Sequence, residues 1–253
     1  MSTPQTPLVL TIQSHVAYGH VGNDAAMLPL QMLGIQPVAV HTVQFSNHTG
    51  YGEFKGQVFT PAHIADVLDG LRARGVLSRC VAVLSGYLGD AGVGEEILSA
   101  VQEVRAAHYE FELLCGGEPL TTVDAAIKAA RAMLTHMHDT KSALIVITSL
   151  RTEDLPSDSL ATLAVTANDA WLVQTPFIDL QPLPNGMGDV FSSVLLGHLI
   201  QGNTAPVAVS SAVSTLYALV QRTQSGERDL PLVACRDQII NPSEQFSAKA
   251  AQS

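Results

Sequence analysis

Apolar and polar positions alternate in blocks along the first half of the chain. Residues 8–12 (LVLTI) form a short apolar, β-branched run between Pro7 and a polar loop, which predicts a buried strand. Further strands are predicted at residues 37–43 and around 82–84, and helices at residues 24–33, ended by Gly34, and 61–74. Strands that alternate with helices in this way are typical of parallel pairing in a layered α/β domain.

The second half of the chain shows a similar alternation. Thr121 and Thr122 can cap a helix that runs to about residue 135, and residues 143–147 (ALIVI) predict another buried strand. Residues 160–165 and 170–173 flank Asn168 and Asp169, which predicts a β-hairpin. Two closing helices are expected at residues 189–201 and 205–222.

One stretch interrupts this alternation. A predicted helix at residues 94–107 runs almost directly into residues 109–114, which are also helix-compatible. A parallel sheet requires a strand between two such helices, because each crossover returns the chain to the sheet. Two explanations remain open: the sheet skips a strand here, or residues of the natural chain are absent from this sequence.

Composition narrows the class of protein. With 253 residues, 47% hydrophobic and 14% charged, the chain is expected to form one large, compact domain. No apolar run has membrane-spanning length and residues 1–7 lack a signal-peptide pattern, which predicts a cytoplasmic location without a membrane partner. The net charge of −10 makes a nucleic-acid partner unexpected, and three scattered cysteines indicate reduced thiols.

The segment NGMGDVFSSVLLGHLI, residues 185–200, places an acid at the start of a predicted helix. Asp189 can simply cap that helix. Alternatively, the free amides of Gly186, Met187 and Gly188 can hold a phosphate while the Asp189 carboxylate removes a proton beside it. A second glycine-bearing segment, residues 46–59, is either a surface hairpin or a flap that closes over a ligand, with Gly50, Gly52 and Gly56 as its flexible positions.

Several blocks together resemble the pyridoxal kinases of the ribokinase-like superfamily. They are IQSHVAYGHVGN at 12–23, VQFSNHTGYGEFKGQVF at 43–59, LSGYLGD at 84–90, GMGD at 186–189 and VSTLYALVQRT at 213–223. The resemblance implies one domain over residues 1–253: a three-layer α/β/α sandwich with a mainly parallel sheet and a small β flap. It also implies a homodimer.

The resemblance implies that the protein phosphorylates the 5′-hydroxymethyl group of pyridoxal to pyridoxal 5′-phosphate, with pyridoxine and pyridoxamine as further substrates. ATP would be the phosphoryl donor, with Mg²⁺ and a monovalent cation as cofactors. Asp189 would be the general base. The vitamin would be bound by the residues that match the family's pyridoxal pocket: Ser14, Val21, Val43, Phe45, Thr49, Tyr87 and Asp189.

On the nucleotide side the resemblance implies contacts from two strand ends and from one acid. The matching residues are Thr148, Ser149, Thr175, Pro176, Phe177, Ile178 and Glu110. Glu110 would also hold the metal through water, as the acid of the superfamily's Asn-x-x-Glu pattern. The asparagine of that pattern is Ala107 here, and a strand ending in Asp-Pro-Val, a loop, a further strand and Pro-Asn are missing between residues 107 and 108. Met187 replaces a common threonine, which removes a hydroxyl that can bond phosphate and predicts lower turnover.

Two alternatives stay open. The chain can be a non-catalytic pyridoxal or pyridoxal-phosphate binding protein that has lost productive ATP binding through the changes near Ala107 and Met187. It can also be a hydroxymethylpyrimidine kinase of the same superfamily, although SNHTGY at residues 46–51 favours pyridoxal. A Rossmann dehydrogenase is disfavoured because no G-x-G-x-x-G follows the first strand.

Overall fold

A computed structural model of the chain describes residues 6–107, 121–135, 137 and 143–251. Helices and strands alternate in the first half, whereas the second half contains three consecutive strands. The elements are β1 (Leu8–Tyr18), α1 (Asn23–Met32), β2 (Gln36–Asn47), β3 (Gly56–Val58), α2 (Pro61–Ala73), β4 (Cys80–Ser85), α3 (Val93–Ala107), α4 (Val123–Leu134), β5 (Ile145–Leu150), β6 (Ser159–Val165), β7 (Ala170–Pro176), α5 (Met187–Ile200), α6 (Ala205–Arg222), α7 (Asp237–Ile240) and β8 (Lys249–Ala250).

Two four-stranded sheets form the middle layer. The first, sheet A, has the order β3-β2-β1-β4, with β1 parallel to both β2 and β4 and with β3 antiparallel to β2. The second, sheet B, has the order β5-β6-β7-β8 and is antiparallel throughout. Within the described residues, β4 pairs only with β1 and β5 only with β6, so no strand joins the two sheets.

Helices cover both faces of each sheet, as expected for a three-layer sandwich. The core between sheet A and helices α2 and α3 includes Leu10 and Ile64, and α4 packs on one face of sheet B through Ile127. Helix α5 serves both sheets: Val194 belongs to the core on sheet B, and Leu196 packs against the core on sheet A. Its sequence is apolar on nearly every side because it lies between two packed layers. No helix in the described ranges is both long and apolar enough to span a membrane.

The predicted helices agree with the structure to within two residues. Helix α4 is capped as predicted, since the Thr122 hydroxyl accepts a hydrogen bond from the Ala125 amide at 3.1 Å. The predicted hairpin at residues 160–173 is confirmed as β6 and β7. The helix-compatible residues 109–114 and the proposed break after Ala107 lie outside the described residues.

Two features of the sheets differ from the prediction. Strand β1 continues six residues beyond the predicted end at Ile12, because a bulge between Gln13 and His15 lets it keep pairing with β2 through a polar segment. The second difference is that only sheet A is mainly parallel. In sheet B, β6 is joined to β5 and β7 by loops without a crossover helix, and such direct connections give antiparallel pairs.

Candidate active site

The Asp189 carboxylate lies where the N-termini of α1 and α5 meet. Asp189 is the third residue of α5, and its Oδ2 accepts a hydrogen bond of 2.9 Å from the amide of Gly22, the residue that precedes α1. The N-cap of α5 is Gly186, which has a left-handed backbone and no side-chain cap. Asp189 therefore does not serve as the N-cap of its own helix. It joins two segments that are 167 residues apart in sequence.

Burial controls the acidity of this carboxylate. Burial raises the pKa of Asp189, while the hydrogen bond from Gly22 and the proximity of His48 lower the pKa and oppose that effect. The net shift is upward. A carboxylate with a raised pKa is a stronger base than an exposed one, and this is the property that proton abstraction from an alcohol requires.

Two glycines allow the close packing around Asp189. A Cβ on Gly22 would lie 2.3 Å from the Ser14 carbonyl oxygen and 2.4 Å from its hydroxyl. A Cβ on Gly186 would lie 2.0 Å from the His20 carbonyl oxygen, and Gly186 also has a φ of 76°. Only glycine fits either position. The structure thereby brings Ser14, predicted to bind the vitamin, into contact with the segment that holds Asp189.

The start of α5 presents free amides beside the acid. Met187 and Gly188 are the first two residues of the helix, whose N-terminal amides have no intrahelical acceptor and no side-chain cap. A Cβ on Gly188 would meet no atom within 4 Å, so the space next to its amide is open. The Met187 side chain packs against the core on sheet B. The predicted anion site thus consists of backbone groups and open space, with the side chain between the glycines turned towards the core.

The other residues predicted to bind the vitamin differ in exposure. Thr49 lies exposed in a short 3-10 turn, Thr49–Tyr51, and the Phe45 ring contacts the Phe54 ring in a tilted arrangement, with 5.0 Å between ring centroids. Tyr87 is 61% exposed, and its carbonyl oxygen accepts a 2.7 Å hydrogen bond from the hydroxyl of Thr42.

Val21 and Val43 are buried, so neither offers surface to a ligand in this structure. Their predicted role in lining the ring slot stays a prediction.

The residues predicted to bind ATP lie at one edge of sheet B. Strands β5 and β7 both pair with β6 in antiparallel fashion, so they run parallel to each other and end at the same edge. Thr148 and Ser149 near the end of β5 are exposed, and Ser149 has a φ of 57° at a strand irregularity. A left-handed serine is strained, and strain of this kind concentrates at functional sites.

The end of β7 supplies the second group of these residues. Thr175 is largely buried in the strand, Pro176 ends the strand and Phe177 follows it, with Ile178 next in the chain. The Arg151 guanidinium lies 3.9 Å above the Phe177 ring, so the two strand ends are in contact. Beside them is a cavity of about 430 Å³, lined in part by Thr121, Arg151 and Glu153.

Glu110, predicted to bind ATP and to hold a metal through water, lies outside the described residues. Within the described ranges, no three His, Cys, Asp or Glu side chains are placed to hold a metal ion.

Sequence analysis missed several residues of this region. The Gly22 amide binds Asp189, His20 packs on Gly186, and Asp229 accepts a hydrogen bond from the His20 amide at 3.1 Å. A glycine directly before a helix is a signal that could have identified Gly22. No local pattern marks Asp229, because its partners are more than 170 residues away in the chain.

Comparisons with known proteins agree with this geometry. No protein-family model matches the chain. The chain is 38% identical over 295 positions to the pyridoxal kinase PdxY of Deinococcus radiodurans, covering 99% of each chain. It is 38% identical over 286 positions to the corresponding Rubrobacter xylanophilus protein, covering 95% of this chain and 96% of the relative. The 295 aligned positions exceed the 253 residues of the chain by 42, so at least that many positions are gaps in this chain.

Solved structures share the fold. A Leishmania donovani pyridoxal kinase in complex with ADP and pyridoxine is 26% identical with a TM-score of 0.78, covering 97% of this chain and 99% of that one. A Trypanosoma brucei pyridoxal kinase, 24% identical with a TM-score of 0.86, covers 96% and 99%. The predicted α/β sandwich is therefore confirmed. With relatives at this identity along nearly its whole length, the chain belongs to the pyridoxal kinase family.

Proposed function

We propose that this protein transfers the γ-phosphoryl group of ATP to the 5′-hydroxymethyl group of pyridoxal and forms pyridoxal 5′-phosphate. One observation carries the proposal: a partly buried carboxylate with a raised pKa, Asp189, stands beside the free N-terminal amides of Met187 and Gly188. Phosphoryl transfer requires an anion held in line with an activated hydroxyl, and this arrangement offers a group for each task.

The chemistry follows from the groups present. The hydroxyl proton of the substrate passes to the Asp189 carboxylate, and the alcohol oxygen forms a bond to the γ-phosphorus. The bond between that phosphorus and the bridging oxygen of ATP breaks, and ADP leaves with the electron pair. The N-terminal amides of α5 stabilise the negative charge on the transferred group, aided by the helix dipole.

The substrate range and the nucleotide follow from the relatives. The Leishmania donovani enzyme was crystallised with ADP and either pyridoxine or pyridoxamine. We infer that this chain also uses ATP and accepts both vitamers besides pyridoxal. Thr148, Ser149 and residues 175–178 form the proposed nucleotide contacts, and their common edge in sheet B supports this assignment.

Further properties are proposed from family membership. Mg²⁺ bound through Glu110, a monovalent cation, a homodimer and a cytoplasmic location belong to this group. We also propose one domain over residues 1–253 with a natural segment missing between residues 107 and 108. Two observations support the missing segment: the 42 excess alignment positions, and the direct succession of two helix-compatible stretches in the sequence around residues 107 and 108.

A coupled assay for ADP release tests the function. Protein of verified intact mass is incubated with ATP, Mg²⁺ and pyridoxal, and in parallel with hydroxymethylpyrimidine. We expect ADP release that depends on pyridoxal and produces pyridoxal 5′-phosphate, detected by its absorbance. Binding of pyridoxal without ADP release would contradict the proposal in favour of a non-catalytic binding protein. Faster turnover of the pyrimidine would contradict it in favour of the related kinase.

A further inference from the structure

The flap, residues 46–59, is anchored at its base by the pairing of β3 with β2, but its tip has few buried contacts. None of the three residues in its tip, Thr49–Tyr51, is buried, and Phe54 and Val58 are 44% and 40% exposed. A segment with so few buried apolar contacts is expected to open readily. Pairing with β2 fixes only the base of the flap, so the position of the tip must depend on specific polar contacts.

Those contacts come from the segment after α6. The Tyr51 hydroxyl donates a hydrogen bond to Oδ2 of Asp229, and the Arg228 guanidinium donates one of 2.9 Å to the Gly50 carbonyl oxygen. Arg228 also lies 5.6 Å above the Tyr51 ring. Burial and Asp229 raise the pKa of Tyr51 further above its usual value, so its hydroxyl stays a donor. The two residues that follow Thr49 are thus both held from outside the flap.

The same segment also contacts residues near Asp189, namely His20 and Asn185. Oδ1 of Asp229 accepts the His20 amide at 3.1 Å, and the carbonyl oxygen of His20 packs against Gly186. The Arg228 carbonyl oxygen accepts two hydrogen bonds from Asn185, one from its amide at 2.8 Å and one from its side chain at 3.0 Å. Asn185 directly precedes Gly186. Arg228 and Asp229 therefore connect the flap tip to the two segments that position Asp189, one at His20 and the other at Asn185.

We propose that Tyr51, Arg228 and Asp229 form a latch that holds the flap closed over the vitamin and sets its position relative to Asp189. They are positioning residues, because they contact the flap and the segments at His20 and Asn185 that position Asp189. The proposal rests on the proposed function, since it assigns these residues to the binding of pyridoxal. It predicts that weakening the latch affects the vitamin and leaves the nucleotide unaffected, because the nucleotide residues lie on sheet B.

Tyr51→Phe tests the latch with the smallest possible change. It removes the hydroxyl and keeps the ring beneath Arg228. We expect the KM for pyridoxal to rise about 10-fold, the size of one lost hydrogen bond to a charged group, while the KM for ATP stays within about 2-fold. Arg228→Met removes the bond to Gly50 together with the charge above the Tyr51 ring, and is expected to raise the pyridoxal KM about 3-fold. Tyr217→Phe is the matched control, since Tyr217 lies on α6 with its ring against Phe246 and its hydroxyl makes no hydrogen bond to the described residues.

Trypsin cleavage provides a readout that does not depend on activity. Lys55 is an exposed residue of the flap, and the rate of cleavage after it reports how often the flap opens. We expect faster cleavage after Lys55 in Tyr51→Phe and Arg228→Met than in the wild type and in Tyr217→Phe. Cleavage after Lys249, on β8, serves as the internal reference and is expected to stay unchanged.

Two results would overturn the latch. One is an unchanged pyridoxal KM and unchanged Lys55 cleavage in Tyr51→Phe. The other is an equal rise of both KM values with a lower melting temperature, which indicates a general structural role. If the wild type releases no ADP with pyridoxal, the proposed function fails, and the cleavage rates alone then decide whether the latch exists.

Discussion

The proposed vitamin side and the proposed nucleotide side of the site are built in different ways. On the vitamin side, Asp189 is partly buried, bound by the Gly22 amide and placed by a loop that Asp229 holds in turn. On the nucleotide side, Thr148, Ser149 and Phe177 stand exposed at strand ends. Cross-links between distant segments thus concentrate around the acid.

This difference indicates which groups already have their final positions before the ligands bind. A base and its neighbouring amides contribute most when they need no rearrangement during the reaction, which matches the dense contacts around Asp189. The proposed nucleotide edge carries exposed side chains beside a cavity lined in part by Thr121, Arg151 and Glu153. Substitutions on the vitamin side should therefore change turnover, whereas substitutions on the nucleotide side should change the KM for ATP.

Asp189→Asn is expected to have the largest effect. The amide keeps an oxygen for the Gly22 hydrogen bond and removes the base, so turnover should fall by about 10²–10⁴-fold while pyridoxal binding stays nearly unchanged. Turnover is measured by ADP release and binding by calorimetry. Full turnover in this variant would show that Asp189 is not the base.

The two glycines that flank Met187 should separate catalysis from folding. At Gly188 an added methyl group enters the open space beside the amides, so Gly188→Ala should lower turnover about 10²-fold by displacing the phosphoryl group, without loss of stability. At Gly186 the methyl group would meet the His20 carbonyl oxygen in a left-handed backbone, so Gly186→Ala should lower the free energy of unfolding by about 3 kcal/mol.

Turnover assays and urea unfolding of both variants test this contrast. A Gly188→Ala protein with wild-type turnover would mean that no anion binds at the start of α5.

The raised pKa of Asp189 predicts a pH dependence. Activity requires the ionised form, so kcat/KM should fall about tenfold per pH unit on an acid limb that lies above the usual range of an aspartate. The same shift acts on stability with the opposite sign. A carboxyl whose pKa is raised by folding contributes stability at pH values below its unfolded pKa and loses that contribution as pH rises through the folded pKa.

The melting temperature of the wild type should therefore rise relative to that of Asp189→Asn as the pH is lowered through this range. A difference that is independent of pH would contradict the raised pKa.

Ser149→Gly addresses the nucleotide side with a smaller expected effect. Glycine adopts the left-handed backbone at residue 149 without strain, so the free energy of unfolding should increase by about 1 kcal/mol. The substitution also removes the hydroxyl proposed to contact phosphate, so the KM for ATP should rise about 3-fold with the pyridoxal KM unchanged. A change in the pyridoxal KM alone would contradict the assignment of Ser149 to the nucleotide.

Sequence patterns predicted the helices and the family, and they were less informative about the sheets. Periodicity identified α6 with its bounds and the Thr122 cap, because these features depend on neighbouring residues. The extension of β1 past Ile12 was missed because the polar residues that follow the bulge hide the strand pattern. The division into two sheets depends on pairing between distant strands, which periodicity does not report.

The candidate site shows the same limit. The motif at residues 186–189 was found because it is local, and the resemblance supplied Ser14 and Thr49. The Gly22 amide and the Asp229 carboxylate were not predicted, since their roles arise only when segments far apart in sequence meet.

Met187→Thr is expected to have the smallest effect on turnover. The sequence predicts that restoring the common threonine adds a hydroxyl contact to phosphate. In the structure, however, the Met187 side chain packs against the core on sheet B, which includes Val190 and Phe191. A threonine there replaces apolar packing, so we expect the free energy of unfolding to fall by about 1 kcal/mol, with turnover within about 2-fold of the wild type. Because the anion site consists of backbone amides, it survives the substitution. A several-fold gain in turnover would instead mean that the hydroxyl at residue 187 reaches the phosphate.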